Sequence, residues 1–217
     1  MASSVATGAP AKQHRVSTLV LAAILAVGIV FVLKYVFHYY LNYNQQGFIP
    51  YWSVRGWLML HITSGMVALL TGPPQFSTWL RQRYLKFHRI LGRVYLIAVG
   101  LGSAAAIGLS FSGISPWSFE FSLFCLAVAW STCGAMAYYA VRQRQIQVHK
   151  EWMVRTYIVT FGFVSFRVLN DMGPTSHLQP GLARADVFVW ACWVMPLIAA
   201  EVIMQLMKMR KPVRTAL

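Results

Sequence analysis

Two histidines of this sequence stand at matched places. His88 and His149 begin the strings HRILGR (88–93) and HKEWMVR (149–155), each at the start of an apolar run. Six-coordinate haem takes two imidazoles from separate helices at one depth. The two strings therefore predict haem ligation by His88 and His149, provided that the helices carrying them are neighbours. In the alternative interpretation, both histidines and their basic neighbours anchor helix ends to anionic lipid.

Two arginines lie about one helical turn beyond these histidines. Arg93 and Arg155 are each placed further into the apolar run than the histidine of their string. Their planar guanidinium groups could contact haem propionates, a quinone or a lipid headgroup. We therefore include Arg93 and Arg155 with the histidines as candidate cofactor-binding residues.

A third histidine lies deeper. His61 is roughly eight residues into its apolar run, or about 12 Å below the outer boundary at 1.5 Å per residue. Gly65 and Gly72 share its helix face and leave room beside the imidazole. One interpretation is a neutral histidine bonded to a neighbouring Ser, Thr or Tyr, and another is a metal or haem ligand. A proton relay is the third.

The elements that must position these residues are membrane helices. The chain has 217 residues, of which 58% are hydrophobic and only 11% are charged, against roughly 25% charged in soluble domains. Such a composition excludes a soluble enzyme, a secreted disulfide scaffold and a disordered tail. Runs of about 20 apolar residues can cross the membrane, and they must do so as helices. Six such runs are present: Val16–Tyr40, Ser53–Gly72, Ile90–Phe111, Phe119–Val141, Trp152–Leu169 and Val187–Met207.

The basic residues predict the orientation of this all-α, six-helix transmembrane bundle. When the six runs alternate direction, all but four of the 19 Lys and Arg residues fall on one side, the exceptions being Lys34, Arg55, Arg167 and Arg184. Basic loops stay in the cytoplasm, so both termini are predicted to be cytoplasmic. The predicted division is a tail at 1–15, the membrane domain at 16–208 and a basic tail at 209–217. The net charge of +14 then reflects topology and anionic lipid, not nucleic acid.

Charged residues at membrane depth need partners. Glu201 lies about two turns inside the sixth run, where Arg93 or Arg155 is at a compatible depth for an ion pair. Arg167 and Asp171 are four residues apart and are predicted to pair along one helix. One site shared by His61 and the other two histidines would have to bridge roughly 15 Å of helix rise, which makes zinc a poor fit.

Small residues recur at four-residue spacing on the third run, at Gly100, Ala104 and Gly108. This pattern lets another helix approach closely. The pattern is typical of ordinary packing within one bundle, and a homodimer face is the alternative.

Three strings carry a family resemblance: HITSGMVALLTGPPQF (61–76), LRQRYLKFHRILGRVYL (80–96) and HKEWMVRTYIVTFGFVSFR (149–167). Over about residues 50 to 170 they resemble bacterial predicted membrane proteins catalogued as domain of unknown function 2306. The resemblance implies a membrane fold and a multi-pass place in the bacterial inner membrane, and no activity.

More distantly, the arrangement is similar to cytochrome b561 and the two-haem membrane cytochromes, whose four-helix core binds haems near both membrane faces. His88 and His149 match the inner ligand pair of that pattern. His61 does not find its partner, because the fourth run contains no histidine; His38 or His177 could substitute. The resemblance therefore implies one haem b or none.

Two functions of different classes follow, and whether the chain is an enzyme stays open. The first is a b-type haem protein that carries electrons between a quinol or another reductant and an acceptor, with His61, His88 and His149 pointing inward. The second is a cofactor-free accessory or assembly subunit of a larger membrane complex, with histidines bonded to side chains or lipid and an apolar face rich in small residues. A transporter or membrane enzyme is a third possibility, without the paired broken helices typical of transporters.

Overall fold

A computed structural model of the chain describes residues 10–171 and 182–210. Throughout these residues the secondary structure is helical, and they contain no strand. His177 and most of both predicted tails lie outside the described residues. The all-α fold class is confirmed.

The six predicted spans are confirmed as helices long and apolar enough to cross a membrane. The elements are α1 (Pro10–Phe31), the π segment (Val32–Val36), α2 (Phe37–Leu41), a 3-10 turn (Tyr51–Val54), α3 (Arg55–Gln75), α4 (Thr78–Arg83), α5 (Leu85–Leu109), α6 (Trp117–Arg142), α7 (Ile146–Asp171) and α8 (Leu182–Met209). The first span comprises α1, the π segment and α2, and the other five are α3, α5, α6, α7 and α8.

Helix α3 ends later than the sequence predicts. The apolar run ends at Gly72, whereas the helix continues through Pro73 and Pro74 to Gln75. Proline removes the backbone N–H that would bond the carbonyl four residues earlier. The carbonyl of Leu69 instead accepts a hydrogen bond of 3.2 Å from the Tyr157 hydroxyl of α7. A side chain from another helix thus satisfies the backbone where proline cannot.

The two ends of the bundle differ. We call the end with α4 and the α6–α7 turn the terminal face, because both ends of the described chain lie there. The opposite end, with the α2–α3 and α5–α6 connections, is the loop face. Helix α3 packs chiefly on α5, α6 on both α5 and α7, and α7 on α8, while α1 lies against α3. The core between α3, α5, α6 and α7 therefore holds the deepest side chains.

A hydrogen-bond network around Thr160 lies at the centre of this core. The Thr160 hydroxyl accepts from Trp130 Nε1 at 2.9 Å, lies 3.0 Å from the Tyr95 hydroxyl and donates to the Thr156 carbonyl at 2.9 Å. All four residues are buried. In an apolar interior each of these polar groups needs a hydrogen-bond partner. The network therefore fixes the positions of α5, α6 and α7 relative to one another.

We expect Thr160→Val to lower the stability of the bundle by about 1 kcal/mol, a typical cost for a membrane hydrogen bond with partners left unpaired. The substitution keeps the volume of the side chain and removes the oxygen that Trp130 and Tyr95 share. Thr160→Ser is the matched control, because it keeps that oxygen. Thermal unfolding in detergent, followed by circular dichroism, measures the difference. Equal midpoints for the valine and serine variants would contradict a structural role for the hydroxyl.

The small-residue stripe on α5 divides into two parts. A Cβ on Gly108 would lie 2.9 Å from the Trp57 ring of α3, so this glycine serves packing within the bundle. A Cβ on Gly100 would meet nothing within 4 Å, and Ala104 is exposed. The outward part of the stripe faces away from the described helices.

Candidate functional site

The structure brings His88 and His149 to equivalent positions near the terminal face. Each is the fourth residue of its helix, α5 or α7, because both helices begin earlier than the apolar runs do. The two histidines therefore occupy matched positions along their helices, but the helices are not direct packing neighbours as the prediction required. Helices α5 and α7 face each other across the core, where Tyr95 meets Thr160, and α3 and α6 pack between them.

The ring of His149 is held in one tautomer. Its Nδ1 lies 2.9 Å from the carbonyl oxygen of Ala137 in α6. A carbonyl only accepts hydrogen bonds, so Nδ1 carries the proton of the neutral ring and Nε2 keeps a lone pair. Metal-bound histidines are commonly held in this way through their other nitrogen.

The ring of His88 differs from that of His149, because its Nδ1 is not hydrogen-bonded within the described part of the chain. Its Nδ1 is buried and has no hydrogen-bond partner among the described residues. Buried polar nitrogens are nearly always bonded, so an exception needs a reason. A ligand bound beside the ring would supply one.

Gln75 adds a third polar group to this place, and the sequence did not single it out. Its Nε2 is also buried without a partner in the described part of the chain. Its Oε1 lies 3.1 Å from where a Cβ on Gly92 would stand, and Gly92 is one turn beyond His88. The sequence feature that could have identified Gln75 is its position: it is a single amide side chain directly after two prolines, at the end of an apolar run. We call Gln75, His88 and His149 the terminal-face cluster.

The two candidate arginines lie in different environments. Arg93 is exposed on α5. Arg155 donates from Nε to Glu201 Oε2 at 3.1 Å, also contacts that oxygen through Nη2, and stacks over the Trp152 ring. The predicted ion pair between Glu201 and an inner arginine is thus confirmed with Arg155. The charge of Arg155 is compensated before any cofactor is considered.

The predicted pair of Arg167 and Asp171 is wrong. Arg167 donates to the Tyr39 hydroxyl at 3.0 Å, while Asp171 accepts from Tyr35 and lies 3.9 Å from Lys34. All three partners belong to the first span. Spacing of four along a helix gives only a few tenths of a kcal/mol, about 0.2–0.5, so better-placed groups on a neighbouring helix replace it.

His61 lies in the half of the bundle nearer the loop face, away from the terminal-face cluster. Its Nδ1 is 3.0 Å from the carbonyl oxygen of Gly102 in α5, and not bonded to a Ser, Thr or Tyr side chain as one interpretation expected. A Cβ on Gly102 would lie 3.2 Å from the Cβ of Ser64, which is on the same helix as His61, and 2.8 Å from the Trp130 ring of α6. Glycine therefore lets α5 come close enough to α3 for its backbone to serve as the partner of His61.

A cavity of about 240 Å³ opens beside His61. Its walls come from the first span and from α3, α5, α6 and α7, and are largely aliphatic and aromatic. His61 stands part-way down, with Leu69 two turns deeper and Arg167 towards the loop face. His61 is the single histidine among the described residues that line it. The described residues also contain no group of three or more His, Cys, Asp or Glu side chains placed to hold one metal ion.

A family model described as a predicted membrane protein (DUF2306) matches residues 58–204, well over half of the chain. No curated protein and no solved structure matches it. The match includes the terminal-face cluster, His61 and most of the cavity wall, but leaves out the first span.

Proposed function

We propose that this chain, which belongs to the DUF2306 family of predicted membrane proteins, is a membrane electron carrier that holds one b-type haem between His88 and His149. The observation that carries the proposal is the hydrogen bonding of the ring nitrogens in the two histidines. One presents a fixed lone pair, and the other has a buried nitrogen without a partner. Two such imidazoles from separate helices are a donor set that fits haem iron.

The residues of the chain would have distinct parts. The Ala137 carbonyl orients the His149 ring and would make its Nε2 a better donor to a bound iron. A bound haem would supply a one-electron couple whose potential depends on its ligands and surroundings. The free amide nitrogen of Gln75 is available to donate a hydrogen bond nearby. Of the two candidate arginines, Arg93 would be the one left for a propionate, since Arg155 is already paired with Glu201.

The proposal includes an orientation. We place both termini in the cytoplasm of a bacterium and the bundle in its inner membrane. Support comes from Arg81 and Arg83 on α4 and Arg142 and Arg144 at the α6–α7 turn, all on the terminal face. Such clusters remain on the cytoplasmic side and attract anionic lipid headgroups. The haem would then lie near the cytoplasmic surface.

A second candidate function is an accessory subunit without a cofactor, packed in a larger complex or a homodimer. The outward part of the α5 stripe favours it, because Gly100 and Ala104 leave a shallow face for another helix. The two candidates differ in whether the purified protein contains haem.

The test is an absorption spectrum of the detergent-purified protein, oxidised and then reduced with dithionite, with haem counted as the pyridine haemochrome. We expect a sharp α-band on reduction and about one haem per chain. The protein must come from cells supplied with a haem precursor. Colourless protein from such cells would overturn the electron-carrier proposal and favour the accessory subunit, whose partners would then be sought by native electrophoresis.

A further inference from the structure

The cavity beside His61 is a second site, distinct from the terminal-face cluster. We propose that it binds an uncharged hydroxyaromatic molecule, of the quinol class, whose O–H group donates a hydrogen bond to His61 Nε2. The inference stands independently of haem, because it rests on the geometry of the cavity wall alone.

The hydrogen bond at the other ring nitrogen determines what His61 can recognise. Nδ1 faces the Gly102 carbonyl at 3.0 Å, and a carbonyl cannot donate. The proton of the neutral imidazole is therefore on Nδ1, and Nε2 is an acceptor. Among the described residues Nε2 has no partner. A ligand that satisfies it must carry a donor, which a phenol or quinol has and a quinone, an ether or an acyl chain lacks.

Aromatic side chains around His61 favour a ring. Phe163 meets the imidazole edge to face at 5.0 Å, and Trp130 meets Phe163 in the same way at 5.2 Å. Aromatic groups prefer such offset and edge-to-face contacts, so a further ring can join the set. Gly65, one turn from His61, has nothing within 4 Å of where its Cβ would stand and leaves space for it.

The charged groups of the cavity wall are already engaged. Glu120 accepts from the Ser112 hydroxyl and the Ser115 backbone N–H, both at 3.2 Å, and Arg167 donates to Tyr39. An ionic ligand would have to displace these bonds, whereas an uncharged one would not. The wall is otherwise apolar, which suits a molecule that dissolves in the membrane.

The first span widens at this place. Its π segment, Val32–Val36, contributes Tyr35 and Val36 to the cavity wall. Single π turns inside α-helices occur often at functional sites. The irregular turn thus coincides with the cavity, which is the second observation pointing to a ligand there.

The test compares durohydroquinone with its dimethyl ether, which has the same ring but no donor. Binding to the full chain in detergent is measured by isothermal titration calorimetry under argon. We expect the quinol to bind about tenfold tighter than the ether, the effect of one hydrogen bond to a buried group. His61→Leu should remove this preference while the chain still folds, as judged by gel filtration and thermal unfolding.

Two variants test the cavity itself. Gly65→Leu fills the space beside His61, and Leu123→Trp fills it from α6 should the first variant fail to fold. Either should weaken quinol binding at least about tenfold. Gly56→Leu is the matched control, because Gly56 is on the same helix as Gly65 and its Cβ also meets nothing within 4 Å, but it lies outside the cavity wall. It should bind as the unaltered chain does.

Several outcomes would overturn the inference. Equal affinity for quinol and ether would mean that the cavity takes apolar molecules, including lipid chains, without using His61. Undiminished binding in both filled variants would place the ligand elsewhere. No binding at all would leave the cavity without this ligand class. None of these readings depends on haem content, so the result is separate from that of the spectrum.

Discussion

Replacing His149 by alanine should reduce the haem content of the purified protein from about one per chain to nearly none, because the proposed haem would be held by the imidazoles of His88 and His149. His88→Ala should have the same effect. The measurement is the pyridine haemochrome count, normalised to protein that elutes as a single species in gel filtration. Free imidazole, added to either variant with haemin, should restore the α-band by occupying the space of the lost side chain.

The matched control is His38→Ala. His38 is exposed near the loop face and contacts Asn42, so its loss should leave the haem content unchanged. Rescue by imidazole separates loss of a ligand from loss of the fold. Full haem content in His88→Ala or His149→Ala would contradict the assignment of the axial pair, even if the protein proved to contain haem.

The parts of this fold that the sequence predicts are those set by the membrane itself. A span must be about 20 residues long whatever it packs against, so the six helices could be placed from the apolar runs alone. A carboxylate at membrane depth must find a cation, so the partner of Glu201 could be narrowed to Arg93 or Arg155. Both predictions follow from the properties of the lipid bilayer and depend only weakly on which helices are neighbours.

The parts that could not be predicted depend on which helix faces which. His61 bonds to a backbone carbonyl of α5, and no sequence spacing predicts such a partner. The same holds for the Tyr157 hydroxyl that lets α3 continue past its prolines, and for the proximity of Gln75 to Gly92. The predicted pair of Arg167 and Asp171 was wrong for the same reason. The first span supplies better-placed partners for both side chains than their own helix does.

The cavity is a further case. Its wall draws on five spans and on a π turn that has no recognised signature in the sequence. Of the two glycines predicted to leave room beside His61, Gly65 lines the cavity, whereas a Cβ on Gly72 would overlap the Tyr157 ring. A cavity is space that several helices fail to fill, so it follows from their joint packing and not from any one of them.

The ion pair between Arg155 and Glu201 leads to a second large effect, on stability. We expect Glu201→Ala to lower the free energy of unfolding by about 2 kcal/mol, because it leaves the mostly buried Arg155 guanidinium without its counter-charge. This is below the roughly 3–5 kcal/mol of a fully buried pair, since 42% of the Glu201 side chain is exposed. Thermal unfolding in detergent at fixed lipid content gives the shift.

A neighbouring pair between the same two helices supplies the control. Lys208 binds Glu151 at 2.7 Å near the terminal face, where a freed lysine can extend to water. Glu151→Ala should therefore cost only about 0.5 kcal/mol, because the cation left unpaired, Lys208, is 47% exposed, against 16% for Arg155. Both variants remove a carboxylate that links α7 to α8, so the contrast between them isolates the burial of the cation left behind.

The double variant Arg155→Leu with Glu201→Leu tests the reason for the effect. If the cost of Glu201→Ala is that of an unpaired charge, removing both charges should recover most of the lost stability, since apolar pairs of similar volume replace buried ion pairs at little cost. A double variant no more stable than Glu201→Ala would contradict this account. Stability would then depend on the contacts that Arg155 makes with Trp152 and its other neighbours, and not on its charge.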